Sequence, residues 1–557
     1  WADLGRIFNP AGVSAQSEQA ARIARQHLGE SARRQAVAFA ALDASHDAMN
    51  KATEDQRMDF YSNIEHPDRQ QGFTPMMRQL ASTYRSLMDT MVTKVQNLGK
   101  SDPSDPNDQG DGFLQTLIDN YFPHIWKDPR RAREVMNPNE EELARIAAAK
   151  SPLEGNRNFL KQRTVDYIST GIARGLELKY DNPVDAIFEK IVELNKFIAA
   201  REILNEYKKQ GLAVPVTRGE RAPEGWTRID DRIGIIYGNP GGNYYMPADA
   251  ARIINNHVSR GPLDYSPLAR AWYNFSAWMN SMQLGLSAYH IGFTSAEAIT
   301  SGMANAVIGM FRSATGKSDI GFGEAAKGLV TAWKNPYDNY KKGADILREY
   351  SSPGSTNQEI ADFVDNMILG GGRGKEMIWR TKTMDTAKKL LHGDTHAEKA
   401  YGALLHIPGF IETTTHLVMD FALKQKLGVF ANIAALEMRD KPHASAEEKR
   451  AMMQKAWDTA DNRMGQLVYD NLFWSKTMKD ISMMTVRAVG WNLGSIREIG
   501  GGVKDWGAAL SGVARGQEFD MTYRMAYIPA MILISGLTGA VATYLATGKP
   551  PEDWRDY

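Results

Sequence analysis

The residues of HGDTH place two imidazoles and a carboxylate, His392, Asp394 and His396, within five positions, a donor set that suits zinc or a similar ion. On a helix His392 and His396 would share a face, but Gly393 and the polar neighbours read as a surface turn. No HExxH spacing is present to add a general base. GMFRSATGKS, Gly309 to Ser318, ends like a phosphate-binding loop, yet six residues rather than four separate Gly309 from Gly316. The residues before it carry a helical pattern where that motif needs a strand. GGGRGKE, Gly370 to Glu376, has neither the spacing nor the terminal hydroxyl and reads as an inter-helix loop. Ser287 and His290 lie close together without the strand-turn-helix elbow of a nucleophile, and Asp230 with Asp231 occupies a turn, where solvated acids are common. No catalytic, cofactor-binding or metal-binding residue is assigned from these patterns.

Composition narrows the classes further. Lys plus Arg and Asp plus Glu number 66 each in 557 residues, so no net basic field drives sequence-independent attraction to phosphate backbones, and no specific nucleic-acid binding is expected. The absence of cysteine removes disulfides, thiolate metal sites and cysteine nucleophiles together. A hydrophobic fraction of 43% with 24% charged residues is that of a chain able to build packed cores. The 26 methionines favour adaptable packing surfaces. The chain opens at Trp1 and reads as a piece of something longer.

The elements that must position any site are helical. Apolar residues recur at helical spacing from Ser14 to Asn97, predicting two or three helices in an N-terminal region, 1–98. GKSDPSDPNDQGDG predicts a linker at 99–112. A helical domain is expected over 113–260, opening with NYFPHIWKDPRR, whose prolines Pro123 and Pro129 favour an extended stretch. Asn137 with Pro138 then caps one helix, and Asn182 with Pro183 a second. The second carries the stripe Ile187, Ile191, Leu194 and Ile198 and is closed by Lys208, Lys209 and Gly211. Between Gly225 and Pro247 the period shortens, and a hairpin or three-stranded insert is expected. Helical pattern resumes at Ala248, giving expected regions at 261–400, with an apolar hairpin, and 401–557. Thr294 with Glu297 has the spacing of a capping box. The fold class is therefore mainly α, a multi-lobed helical assembly with a small β insert near residues 225–247.

Two segments stand out within that frame. In DNLFWSKTMKDISMMTVRAVGWNLGSIREIGGG, Trp474, Met478, Ile481, Ala488 and Trp491 fall on one helical stripe, and Gly490 with Gly494 lets a neighbouring backbone come close. A packing seam is expected there, with the triple glycine Gly500, Gly501 and Gly502 ending the helix as a hinge. The run Met525 to Gly548 carries no charge and would extend about 36 Å as a helix, longer than a hydrocarbon core of about 30 Å. Arg524 and Lys549 bracket it, Tyr527 and Tyr544 sit near its ends, and Gly536 with Ala540 forms a small-xxx-small face. Both membrane contact and burial as a core helix fit this run, its Ser, Thr and Gly content and Pro529 favouring burial.

Several phrases in order, NYFPHIW, FLKQRT, DNPVDAIFEKIVELNKFIAAREIL, MPADAARIINNHV, QLGLSAYHIGFTSAEA, KQKLGVF and DNRMGQLVYDNLFW through GWNLGSIREIGGG, together resemble the helical C-terminal regions of large polyvalent proteins of tailed phages and conjugative elements. The resemblance spans roughly 120–557. It implies a structural, non-enzymatic bacteriophage segment of an internal virion protein. Such a segment is packaged in the virion interior and delivered with the genome during DNA ejection into the host envelope or cytoplasm. Other virion or ejection proteins, a second copy of the chain and the host membrane are the implied partners. No catalytic residue or cofactor is carried over from the resemblance. An enzyme with an unrecognised active site, such as a peptidoglycan-cleaving domain, and an inert spacer between catalytic domains remain the alternatives.

Overall fold

The computed structural model describes residues 9–98, 122–128, 131, 167–217, 220–230, 242–258, 288–318, 320–354, 357–374, 396–464, 469–485, 489–550 and 553. Among these the chain is mainly helical, with fifteen α-helices and one small antiparallel sheet. It divides into two compact units. The first comprises Trp1–Ser259 with Leu472–Ser475, and the second Arg260–Asn471 with Lys476–Tyr557. The expected regions 261–400 and 401–557 thus fall in the second unit, except for Leu472–Ser475. The expected linker 99–112 and the cap at Asn137 fall outside the described residues.

Unit 1 is organised by two long helices, α1 (Ala15–Lys51) and α5 (Pro183–Lys209). Ser14 starts α1 with a capping box to Ser17, and Asn182 starts α5 by accepting from the Val184 amide, with Pro183 in the first turn where no amide is missed. The two run antiparallel. The Tyr207 hydroxyl donates to the Ala20 carbonyl at 2.8 Å, Ser31 donates to the Asn195 carbonyl, and the Asn182 amide donates to the His46 carbonyl. Small residues at Ala20, Ala21 and Ala24, opposite Ala199 and Ala200, are buried in one core cluster with Tyr207 and Ile253. Leu42 and Met49 meet Ile187, Ile191 and Leu194 in a second cluster. The stripe expected on α5 is the face that is buried.

Shorter elements close these two cores. Helices α2 (Glu54–Asn63), α3 (Pro75–Leu98) and α4 (Ile168–Ala173) contribute Phe60, Tyr84 and Ile168 to the second cluster. The stretch around Pro123 is extended, as its prolines require, with Phe122 and Trp126 buried and Trp126 bridged to Leu178. The sheet has the order β1-β3-β2, from β1 (Val214–Thr217), β2 (Trp226–Arg228) and β3 (Gly242–Pro247). β1 lies before the expected 225–247 insert, because the central strand β3 has two edges to satisfy and takes its second partner from the segment directly after α5. Helix α6 (Ala248–Val258) then packs on α1.

In unit 2, α7 (Ala288–Ala314) is surrounded by α8 (Phe322–Thr331), α9 (Asn335–Ser351), α11 (His396–Asp440), α12 (Ala446–Met464) and α15 (Tyr523–Thr547). Helix α10 (Gln358–Leu369) packs on α9 and α12. The helices α13 (Lys476–Thr485) and α14 (Val489–Val513) complete the set. Thr294 and Glu297 lie inside α7, which begins at Ala288, so the capping-box reading of that pair is corrected: neither faces a helix start. Both are buried inside the bundle instead.

The segment containing the tryptophans is also corrected. The expected long helix does not begin at Asp470: a tight turn occupies Tyr469–Leu472, and Trp474, the first residue of the expected stripe, lies before α13 and outside any helix. Phe473 adopts a left-handed φ of 51°, a conformation costing about 1–2 kcal/mol for a residue with a Cβ. Burial of its ring in the first unit's core, and donation from the Asn256 amide to its carbonyl at 2.7 Å, hold it there.

Helices α9 and α11 approach through reciprocal glycines. A Cβ on Gly343 would collide with the Lys424 carbonyl, and one on Gly428 with the Asn339 backbone. Asn432 donates to Asn339 at 2.8 Å across the same contact. Gly428→Ala should therefore lower unfolding stability by about 1–3 kcal/mol despite its better helix propensity. Urea unfolding checks this, and an unchanged or raised midpoint contradicts the close approach.

Candidate functional site

The strongest concentration of chemistry among the described residues is a buried polar network in unit 2. Arg463, near the end of α12, has a side chain with 0% exposure beside Glu498 of α14 at 1%. Its Nε donates to Glu498 Oε1 at 2.9 Å, Nη1 to the Ser301 hydroxyl of α7 at 3.3 Å, and Nη2 to the Tyr523 carbonyl of α15 at 2.8 Å. The guanidinium also lies 4.3 Å from the centroid of the Tyr527 ring. One side chain thus ties its own helix to three others. A buried cation needs this saturation, since an uncompensated buried charge costs several kcal/mol.

Two further groups complete the network. Arg524 of α15 lies 3.4 Å from the second Glu498 oxygen, and the Tyr527 hydroxyl donates to Glu297 of α7, 2.7 and 2.8 Å from its two oxygens. Burial pushes the Glu297 carboxyl up to about 7, against the lowering effects of the Tyr527 hydrogen bond and the Arg463 charge. A neighbouring pair, Lys426 with Asp461, is buried beside Trp457, whose ring lies 4.5 Å from the ammonium. These charges are held by helix packing on every side. Their chemistry is that of fastening helices.

Unit 1 holds a second cluster, His27, Glu30 and Glu202, whose ligand atoms lie within 4.8 Å of one another. Arg34 donates to one oxygen of Glu202 at 3.0 Å, and the Lys94 ammonium lies 2.7 Å from the other. Both cations sit on Glu202, while Glu30 is met by His27 and Gln26, so a divalent ion at Glu202 would have to compete with Arg34 and Lys94. The cluster is an ion-pair network between α1, α3 and α5. Elsewhere in this unit, Glu65 is buried beside the His124 imidazole at 3.0 Å and accepts from the Ile168 amide at 2.7 Å. This fastens α4 and the extended stretch to the core.

The residues singled out from the sequence are distributed as follows. Trp474 is buried in the Leu472–Ser475 segment of unit 1. Gly490 and Trp491 belong to the first turn of α14, with their surroundings outside the described residues. Gly494 lies against the α12 backbone, where a Cβ would collide with the Asn462 carbonyl, one residue before Arg463. The reading of Gly500, Gly501 and Gly502 as a helix end is corrected, because α14 continues through them to Val513. The penalty of about 1 kcal/mol per glycine is offset where α15 packs closely: Gly501 lies under the Arg524 side chain and Gly502 against the Arg524 carbonyl and Ile528. Gly500 faces open space.

On α15, Tyr527 is buried in the network, Gly536 and Ala540 are half-buried, and Tyr544 is exposed. His392 and Asp394 lie outside the described residues, and His396 begins α11. The phosphate-loop look-alike is helical through Ala314. Glu297, Arg463, Glu498 and Arg524 were missed as a group. The available signal was charge interrupting an apolar stretch, as Glu297 does alone between Ala296 and Ala298 and Glu498 does together with Arg497 between Ile496 and Ile499.

The glycines separate in their consequences. Gly500→Ala should raise stability by up to about 1 kcal/mol through helix propensity alone. Gly494→Ala should lower it by about 1–3 kcal/mol by pushing α14 off α12. Thermal melts of the two variants read this directly, and equal shifts would remove the seam at Gly494.

The chain was compared with protein-family models, curated proteins and solved structures, and none of them matches it.

Proposed function

We propose that this chain is a non-enzymatic helical segment of a phage large polyvalent protein, packaged in the virion, delivered with the genome, and acting in packing, self-association and contact with the host envelope. The observation that carries envelope contact is the second half of α15. Ile532 is 64% exposed and Leu545 77%, with Leu533, Leu537, Val541 and Tyr544 exposed between them. The run Met525–Gly548 contains no charged residue at any angle around the helix. A helix that is apolar on most of its circumference has no polar face to offer water and is stable when surrounded by protein or lipid.

Three features favour lipid as the occupant. The uncharged run is long enough for a hydrocarbon core of about 30 Å, and Arg524 and Lys549 stand at its two ends. Tyr544 lies near the C-terminal end, at a level where aromatic side chains meet headgroups. The neighbouring α14 adds exposed Ile496, Val503 and Leu510. Of the nineteen exposed large hydrophobics among the described residues, eighteen belong to unit 2 and only Tyr167 to unit 1, an asymmetry that supports contact through the second unit.

Docked, α15 is held at its first two turns by Tyr523 and Tyr527. In lipid, those turns would exchange protein contacts for acyl chains, a repacking of one helix within a bundle. Flotation of the full chain with vesicles tests the reading against a Leu537→Lys/Val541→Lys variant, whose substitutions sit at exposed positions and spare the core. A lysine at the centre of a span costs about 2.5–3.5 kcal/mol, so partition should fall about 100-fold per lysine. Equal flotation of the two chains contradicts lipid contact through α15. Loss of a dimer in sedimentation, without any flotation of the parent, assigns the face to a second copy instead.

A further inference from the structure

The network beneath α15 carries an inference that deepens this reading and rests on it for its purpose, though not for its test. We infer that the seating of α15 on α7 is proton-linked through Glu297: the helix is held most firmly when this carboxyl is protonated and loosens as the carboxyl ionises.

The geometry places Glu297 where its proton decides the contact. It is buried on α7 and meets α15 through the Tyr527 hydroxyl, 2.7 and 2.8 Å from its two oxygens. A tyrosine hydroxyl has one proton to give, so an ionised carboxylate must share it between two oxygens. A protonated carboxyl adds a second proton to the same contact, and each partner then donates once. Arg463 does not act as a dedicated counter-ion to Glu297. Its three donating nitrogens are committed to Glu498, Ser301 and the Tyr523 carbonyl, and it meets Tyr527 through the ring face.

The charged and titratable groups facing Glu297 are Tyr527 from α15, Arg463 from α12 and Glu498 from α14. Among the described residues, the other helices packed on α7 bring no charge to Glu297 at this level. α8 offers Ala325 and Gly328 to Gly309 and Ala306, and Asn335 at the start of α9 reaches the Ala298 carbonyl. α11 meets α7 through the Arg312–Glu437 pair, fifteen residues along the helix. Burial dominates this balance and raises the carboxyl from its ordinary 4.5 to about 7.

The sign follows from linkage. A carboxyl raised in the seated state and ordinary in the unseated state contributes its full stabilisation below its ordinary value. That contribution is lost as pH climbs through the window between 4.5 and about 7. Above the window the seated helix carries a buried carboxylate, and unseating returns that charge to water. A rise in pH therefore releases α15 and acidification secures it. Exposure of the apolar helix to lipid is the step this would gate.

The absence of cysteine allows a clean reporter. Ala526→Cys places a thiol at a fully buried position on α15, and Ala514→Cys, at an exposed position, corrects for thiolate formation. In the full chain without lipid, the corrected labelling of Cys at 526 should rise about tenfold between about pH 6 and pH 8, the change expected from the two ionisation ranges. In a Glu297→Gln background the corrected labelling should be flat. Corrected labelling that is flat or falls with pH in the parent overturns the inference, whether or not the glutamine variant folds, as does the same rise in both backgrounds. Tyr527→Phe, which removes a hydrogen bond that favours the ionised carboxyl, should move the midpoint to higher pH, and an unmoved midpoint also counts against the inference. A chain that shows the tenfold rise but never floats with vesicles keeps the latch and loses the lipid reading. One that floats without the rise keeps the lipid reading and loses the latch.

Discussion

Arg463 is a permanent cation with no exposed surface, and the arrangement of unit 2 follows from the need to satisfy it. A guanidinium presents donors in a rigid plane, so its partners must arrive from fixed directions. They come from three different helices: a carboxylate from α14, a hydroxyl from α7 and a backbone carbonyl from the first turn of α15. The carbonyl can take this donor because a backbone oxygen has two lone pairs and so accepts from Arg463 as well as within its own helix. The close approach of α14 to α12 at Gly494, one turn before Glu498, brings the carboxylate within reach. Displacing any of these helices leaves part of a buried charge uncompensated, so the network acts as a register pin as much as a source of stability.

The two units solve burial differently. Unit 1 zips two long helices along alanine-lined faces and finishes their ends with aromatic clusters, and among its described residues Tyr167 alone is an exposed large apolar side chain. Unit 2 packs many helices around α7 by glycine-mediated contacts and leaves apolar faces of α14 and α15 uncovered. Exposed apolar area in water is unfavourable by about 25 cal/mol per Å², and the concentration of such surface on two consecutive helices is what a contact region requires. The ionic fastening sits at the root of the uncovered helix. A helix whose base is held by a few directional polar contacts, with little apolar cover beyond them, is well placed to exchange partners.

Much of the architecture is legible in the sequence. Asn182 and Pro183, the Ile187 to Ile198 stripe and the Lys208–Gly211 closure marked α5 because capping and period are local properties. The short-period region marked two of three strands, while β1 was missed because a strand adjacent to a long helix, only four residues long, offers too little alternation. The triple glycine was misread for the opposite reason. Glycine's penalty is local, and the packing of Arg524 and Ile528 that overrides it comes from a helix more than twenty residues away. Thr294 and Glu297 had the spacing of a cap, but spacing alone does not say where a helix begins.

The sequence by itself determined the helical class, the small sheet, the lack of cysteine chemistry and the uncharged run that becomes α15, since each depends on residue type and near-neighbour order. Only the tertiary structure decided that Glu297, Ser301, Arg463, Glu498, Arg524 and Tyr527, drawn from four helices, share one buried site, and that the second half of α15 stays uncovered. Those outcomes depend on which faces meet across more than two hundred residues of chain. Helical periodicity specifies that a face will be buried, whereas the partner it meets is settled by shape and charge complementarity in three dimensions.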